Sequence, residues 1–167
     1  MEKDKILKCF PPIINKNSKV LILGTMPSIR SFQKGQYYGH PQNHFWRIIY
    51  GLFGQDLIDD YDERVAFLLK HHIALWDVLA ACQREGSSDS KIKNPVPNDI
   101  AGLLCDHPAI RAIFCDSVKA EELFNRFIKD RLDRPISYHR LPSPSPARAM
   151  RWEDKLDQWR IILPYLD

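Results

Sequence analysis

Apolar positions along this chain fall into short continuous runs that alternate with amphipathic stretches. Val20, Leu21, Ile22 and Leu23 form an unbroken run ended by Gly24, which predicts a strand buried on both faces of a parallel sheet. Residues 43–54 predict a helix, with Trp46, Ile49, Leu52 and Phe53 at helical spacing and Gly54 as its C-terminal cap. A further helix is expected from Arg64 to Leu69 with Asp62 as N-cap, and a second strand over residues 72–76. The segment DVLAACQR after that strand reads as a helix. Asp77 is then better explained as its N-cap than as a ligand contact. Residues 99–105 suggest a short helix, 109–115 a third strand, 118–132 an amphipathic helix, 136–141 a last strand and 152–163 a closing helix. Residues 1–19, broken by Pro11 and Pro12, read as a polar lead-in covering an edge, and residues 85–98 as a loop. Strands separated by helical segments imply crossovers. The expected fold is α/β, a three-layer α/β/α sandwich around a central four-stranded parallel sheet.

At 167 residues and 44% hydrophobic content, one domain spanning residues 1–167 is expected. No apolar run approaches the roughly eighteen residues that cross a bilayer, and MEKDKILKCF lacks the apolar centre of a secretory signal. The expectation is a cytoplasmic monomer with no membrane contact. Cys9, Cys82, Cys105 and Cys115 are scattered without a C-x-x-C pair, so they read as small buried side chains rather than a zinc site or disulfide framework. The net charge of +3 matters less than its distribution. Between Asp4 and Asp56 there is no acidic residue, while Arg30, Lys34 and Arg47 lie inside that interval. A second acid-free stretch, from Arg134 to Trp152, holds Arg140, Arg148 and Arg151. Excluding carboxylates favours a surface that lies against phosphates, although chance clustering on a solvated face would look the same.

Both acid-free intervals contain an unusual loop that comes after a strand, TMPSIRSFQKGQYYGHPQ and LPSPSPARA. In open α/β sheets ligands bind at the carboxyl ends of strands, so the two loops predict one shared site. They offer Tyr37, Tyr38, Asn43, Phe45 and Ser143, but no carboxylate, cysteine or glycine-rich phosphate cradle. That inventory disfavours a two-carboxylate sugar hydrolase, a dinucleotide-binding turn and a serine nucleophile elbow. His40 and His44 are four apart, yet Pro41 between them argues against a shared helix face, and no metal or cofactor is expected. Adjacent aromatics among basic residues suit stacking on a planar base. An enzyme that acts on a base in a duplex must extrude it and fill the gap, a role the stiff segment from Pro142 to Arg148 fits. Ordinary core tyrosines and a proline-rich turn are the plainer explanations.

The motifs GTMPS, QYYGHPQNHFW, ALWDVL, NDIAGLL, HPAIRAIF and LPSPSPARA together resemble the hypoxanthine-DNA glycosylase branch of the uracil-DNA glycosylase superfamily, over nearly the whole chain. The resemblance implies a monofunctional base-excision enzyme without metal or cofactor, whose partner is DNA containing deaminated bases. It implies hypoxanthine as the substrate, with uracil or mismatched thymine as the alternative on the same scaffold. A non-catalytic reader of damaged bases is the competing class. By resemblance Asn43 is the catalytic residue, although Asn at this place also suits a helix N-cap. Gly24, Thr25, Met26, Pro27 and Ser28 would line the base pocket with Tyr38 and Phe45, and Pro142, Ser143, Pro144, Ser145 and Arg148 would press on the DNA. Three departures stand out. Met26 replaces the asparagine of the wider superfamily's first motif, Arg148 replaces an asparagine in the proline-rich motif, and Cys115-Asp116-Ser117 replaces an asparagine-glycine turn, putting there an aspartate that DNA is expected to repel.

Overall fold

The computed structural model describes residues 5–167. The first four residues of the expected lead-in lie outside the described residues, and strand β1 (Ile6–Lys8) forms soon after them. Strand β2 (Val20–Gly24) is buried at every position, as its unbroken apolar run requires. The loop after it contains an unforeseen helix, α1 (Ile29–Lys34). Ser28 caps it by accepting the Ser31 N–H, and Gly35 ends it at φ +64°, a left-handed turn that glycine adopts without strain. Helix α2 (Phe45–Leu52) buries six of its eight residues and leaves Arg47 outside, over the Trp152 ring at 4.0 Å. Helix α3 (Tyr61–Lys70) starts earlier than expected, because Asp60 rather than Asp62 supplies the capping carboxylate.

Strand β3 (Ile73–Asp77) matches the second predicted strand. The helix expected next is absent. Leu79–Gln83 is instead strand β4, paired antiparallel with β1 on one side and with strand β5 (Lys93–Pro97) on the other. The Leu-Ala-Ala-Cys run favours helix by propensity, but burial of Leu79 and Cys82 between two partner strands outweighs that preference. Asp77 therefore caps nothing and ends a buried strand. Helix α4 (Ile100–Asp106), capped by Asp99, leads to strand β6 (Ala112–Cys115). Helix α5 (Val118–Phe127), strand β7 (Ser137–Arg140) and helix α6 (Trp152–Trp159) complete the chain, with a 3-10 run over Arg160–Leu166.

The four-stranded sheet has the order β3-β2-β6-β7 with every neighbouring pair parallel, the architecture that the alternating pattern implies. Side chains of β2 alternate between two cores. Val20 and Ile22 pack with Phe45, Trp46 and Trp159 on one face, while Leu21 and Leu23 pack with Leu79, Leu104 and Phe124 on the other. Each such fully buried aliphatic side chain contributes roughly 1.5–3 kcal/mol, which makes β2 the fixed axis of the domain. The strand order reverses direction at β2. A crevice therefore opens between the carboxyl ends of β2 and β6, the position where open α/β sheets receive ligands. Among the described residues, no helix is long and apolar enough to cross a membrane.

Candidate active site

Three neighbouring strands end together at that crevice. Gly24 closes β2 and is in register with Asp77, the last residue of β3. Asp116 comes directly after β6 and donates its backbone N–H to the Leu23 carbonyl at 2.9 Å. A Cβ on residue 24 would lie 2.6 Å from Asp77 Oδ1, 3.2 Å from Asp116 Oδ2 and 3.3 Å from the Tyr38 hydroxyl. Only glycine fits there, because two carboxylates and a phenol converge over its α-carbon.

Tyr38 reaches this floor from the first loop at φ +53°, a backbone conformation that costs about 1 kcal/mol or more for a tyrosine. Two contacts hold it. Its ring stacks on Phe45 with centroids 4.0 Å apart, and its phenol donates to Asp116 Oδ2 at 2.5 Å. Burial pushes the Asp116 carboxyl up to about 7, against the lowering effect of the Tyr38 bond. Burial and then the charge of Asp116 hold Asp77 well above the usual carboxylate range, and its Oδ2 has no hydrogen-bond partner. Asp89, on the segment between β4 and β5, is also raised by burial, with Arg84 opposing.

The remaining walls are tied down through their backbones. Arg84 donates to the Pro27 carbonyl at 2.6 Å and to the Gly86 carbonyl at 2.8 Å, while the Ile29 N–H donates to Ser87 Oγ at 2.9 Å. Those bonds join residues 84–90 to the first loop. The proline-rich loop is held from behind by α6 and the start of α2. Trp159 Nε1 donates to the Pro142 carbonyl at 2.9 Å, Lys155 Nζ to the Ser145 carbonyl at 3.1 Å, and the His44 N–H to the Pro144 carbonyl at 2.9 Å. Asn43 stands at the junction of the two loops, where its Oδ1 accepts the Phe45 N–H at 2.8 Å.

These parts enclose a cavity of about 690 Å³, within the range of small-ligand sites. Residues 24–28, Tyr38, Asn43 and residues 143–148 all line it, so the structure brings the two predicted loops to one place. One predicted contact is corrected: Phe45 is fully buried behind Tyr38 and does not face the cavity. Pro142, at the root of the loop expected to press on DNA, lies beside the cavity rather than in its lining, and its carbonyl accepts from Trp159 Nε1. The expectation of an Asp116 set against DNA is also corrected, since the residue sits 7% exposed at the floor. The expectation that the site lacks carboxylates fails as well: the two loops carry none, but Asp77, Asp89 and Asp116 enter from other segments. Residues 87–90, read as plain loop chemistry, form a third wall. Among the cysteines Cys82 and Cys115 are buried, Cys9 half-buried and Cys105 exposed, which corrects the uniform burial expected. Among the described residues no group of three or more His, Cys, Asp or Glu side chains is placed to hold a metal ion.

A parallel four-stranded sheet with a half-open pocket at its switch point, an aromatic turn on one side and a Ser-Pro loop on the other is the frame of a known class. The chain belongs to the uracil DNA glycosylase superfamily, whose family model matches residues 11–167. It is 38% identical over 160 residues to the hypoxanthine DNA glycosylase of Methanosarcina acetivorans, a match spanning 94% of this chain and 98% of that one. The hypoxanthine DNA glycosylase of Methanosarcina barkeri is 40% identical over 114 residues, covering 68% of this chain and 72% of its own. A solution NMR structure from Methanosarcina acetivorans, described as a candidate uracil DNA glycosylase, superposes with a TM-score of 0.83 at 35% identity, covering 97% of this chain and 99% of that one.

Proposed function

We propose that this chain is a monofunctional DNA glycosylase that removes hypoxanthine, the deaminated form of adenine, from DNA by hydrolysing the N-glycosidic bond. The observation that carries the reading is the cavity itself, a half-open pocket between an aromatic turn and a stiff loop, on a chain 38% identical to a hypoxanthine DNA glycosylase along nearly its whole length. A base inside a duplex cannot reach such a pocket unless its nucleotide is flipped out. Tyr38 then stacks on the flipped base, with Phe45 as a second ring behind it. Residues 143–148 meet the strand that the base has left, and Arg148 is exposed at their outer end to contact phosphate or the gap. The cavity is completed within one chain, which supports action as a monomer.

Asn43 orients the chemistry. Its Oδ1 holds the Phe45 N–H, which fixes the amide plane, and the second lone pair of that oxygen and the Nδ2 hydrogens remain to position a water at C1′. In the reaction the C1′–N9 bond breaks with its electron pair going to the base, the water oxygen bonds to C1′, and the proton that water gives up ends on the released hypoxanthine. An amide supplies orientation rather than a full proton acceptor, so its removal slows the step without abolishing binding. Cleavage of an inosine-containing duplex, with alkaline strand scission as the readout, tests the assignment on the parent and on Asn43→Ala. The variant is expected to lose about 10²–10³-fold in single-turnover rate. Equal cleavage by both proteins rejects the role of Asn43, and release of uracil or mismatched thymine in place of hypoxanthine rejects the substrate.

A further inference from the structure

The two carboxylates beside Gly24 are not equivalently served. Asp116 receives the Tyr38 phenol. Asp77 is 5% exposed, lines the same cavity and leaves Oδ2 without a partner. The ionisable groups around it are Asp116 across Gly24, Asp89 and Arg84 from the segment after β4, Tyr37 and Tyr38 from the first loop, and Cys9 ahead of β2. Arg84 is the cation among them; its Nε and Nη2 bond to the Gly86 and Pro27 carbonyls, and its Nη1, without a partner, makes no bond to Asp77. An ionised Asp77 would therefore be a buried charge beside a second carboxylate with no donor of its own, a state that is strongly disfavoured. A proton relieves it and makes the group a donor as well as an acceptor.

We propose that Asp77 and Asp116 share one proton across Gly24, and that the neutral carboxyl of Asp77 reads the flipped base, its O–H donating to O6 and its carbonyl oxygen accepting N1–H of hypoxanthine. The inference rests on the function proposed above and deepens it. An ionised carboxylate would set an acceptor against the O6 acceptor, so the lactam edge of a deaminated purine selects the protonated form. Asp116 acts at one remove: its bond to the phenol positions the Tyr38 ring, and once it ionises, above about 7, its charge keeps the remaining proton on Asp77. Burial and then the charge of Asp116 raise Asp77, while burial raises Asp116 only to about 7, so that above that pH Asp116 ionises first and the one remaining proton stays on Asp77.

The test is excision of hypoxanthine and of uracil across the range from about pH 5 to pH 9, with the full chain, Asp77→Asn and Asp77→Ala, together with carbon-13 carboxyl NMR of the unaltered protein. The asparagine amide donates and accepts at every pH. Asp77→Asn is expected to stay within about tenfold of the parent near neutrality and to lose the parent's alkaline fall, whereas Asp77→Ala loses about 10³-fold or more. The Asp77 carboxyl carbon is expected at the position of a neutral acid at neutral pH. The dyad is overturned if Asp77→Asn is as slow as Asp77→Ala, if parent and Asp77→Asn share the alkaline limb, or if Asp77 resonates as a carboxylate at neutral pH. Release of uracil but not hypoxanthine would overturn the proposed function and leave the dyad to be judged on uracil, whose O4 and N3–H present the same edge. If neither base is released, the reading of the base falls with the function, and the resonance alone decides the shared proton.

Discussion

Of the buried ionisable side chains around the cavity, Lys155 and Asp77 are treated in opposite ways. Lys155 is fully buried under the proline-rich wall, and its ammonium is committed to the Ser145 carbonyl. Burial and then the charge of Arg148 lower its affinity for the proton, yet the bond keeps the group satisfied. Asp77, on the floor, has an oxygen with no partner, and Arg84 nearby has an unpartnered terminal nitrogen. In the wall, Lys155, Trp159 and the His44 amide each serve a backbone carbonyl of the loop. The floor instead keeps polar atoms in hand. A buried polar group left unpaired costs about 1–3 kcal/mol, so a floor that tolerates it stores free energy that a ligand supplying the partners would release. The wall is built to keep its shape; the floor is built to be completed.

The sharpest way to break that contrast is Gly24→Ala. The new methyl group would press on Asp77 Oδ1 at 2.6 Å and crowd both Asp116 and Tyr38. Excision of hypoxanthine is expected to fall about 10²-fold, while the cost to stability stays within about 1–3 kcal/mol because the strand itself is unchanged. Single-turnover rates beside urea unfolding separate the two effects. Full activity in Gly24→Ala would show that the floor does not contact the reacting base. A smaller effect is expected at the wall. Lys155→Met removes the bond to Ser145 and with it the buried charge, replacing both with a flexible apolar chain of similar length. Duplex binding is expected to weaken about tenfold as the loop loosens, with stability unchanged or higher, since a buried ammonium is itself costly. Fluorescence anisotropy on inosine duplexes gives the affinity.

The contrast also explains what the sequence could and could not disclose. The parallel sheet was legible because Val20 to Leu23, residues 73–76 and residues 112–115 are continuous apolar runs, a local signal. The wall was legible for a similar reason, since Pro, Ser and Arg in one short stretch have few other uses. The floor was not. Asp77 looks like a helix cap because Leu79 to Gln83 has helix-forming composition, and only pairing with β1, far earlier in the chain, and with β5 makes it a strand. Asp116 looks exposed because its two neighbours in sequence, Cys115 and Ser117, say nothing of Tyr38. The phenol that meets it is separated by 78 positions. What sequence did hold was an unused regularity: two parallel strands end at Gly24 and Asp77 and a third ends just before Asp116, and parallel strands that share a register end side by side.

The smallest expected effect is also the one whose sign is least intuitive. Asp116 has its carboxyl raised from an ordinary value near 3.8 to about 7. Between those values the folded protein holds a proton that the unfolded chain has released. Stability from this group is therefore complete below about pH 4, declines as pH rises toward 7 and is level beyond it, the reverse of a salt-bridged aspartate. The full shift would correspond to about 4 kcal/mol. Asp116→Asn abolishes that titration, but it also replaces the charge-assisted bond from Tyr38 with a neutral one, which returns about 1.5–3 kcal/mol. The net expectation is that Asp116→Asn is more stable than the parent by about 1 kcal/mol at pH 8 and no more stable at pH 4, with the crossover lying inside the titration range. Chemical unfolding at the two pH values measures it. A parent whose stability rises from pH 4 to pH 8 relative to Asp116→Asn would mean that Asp116 folds as a carboxylate with its charge met by donors, and the floor would then resemble the wall after all.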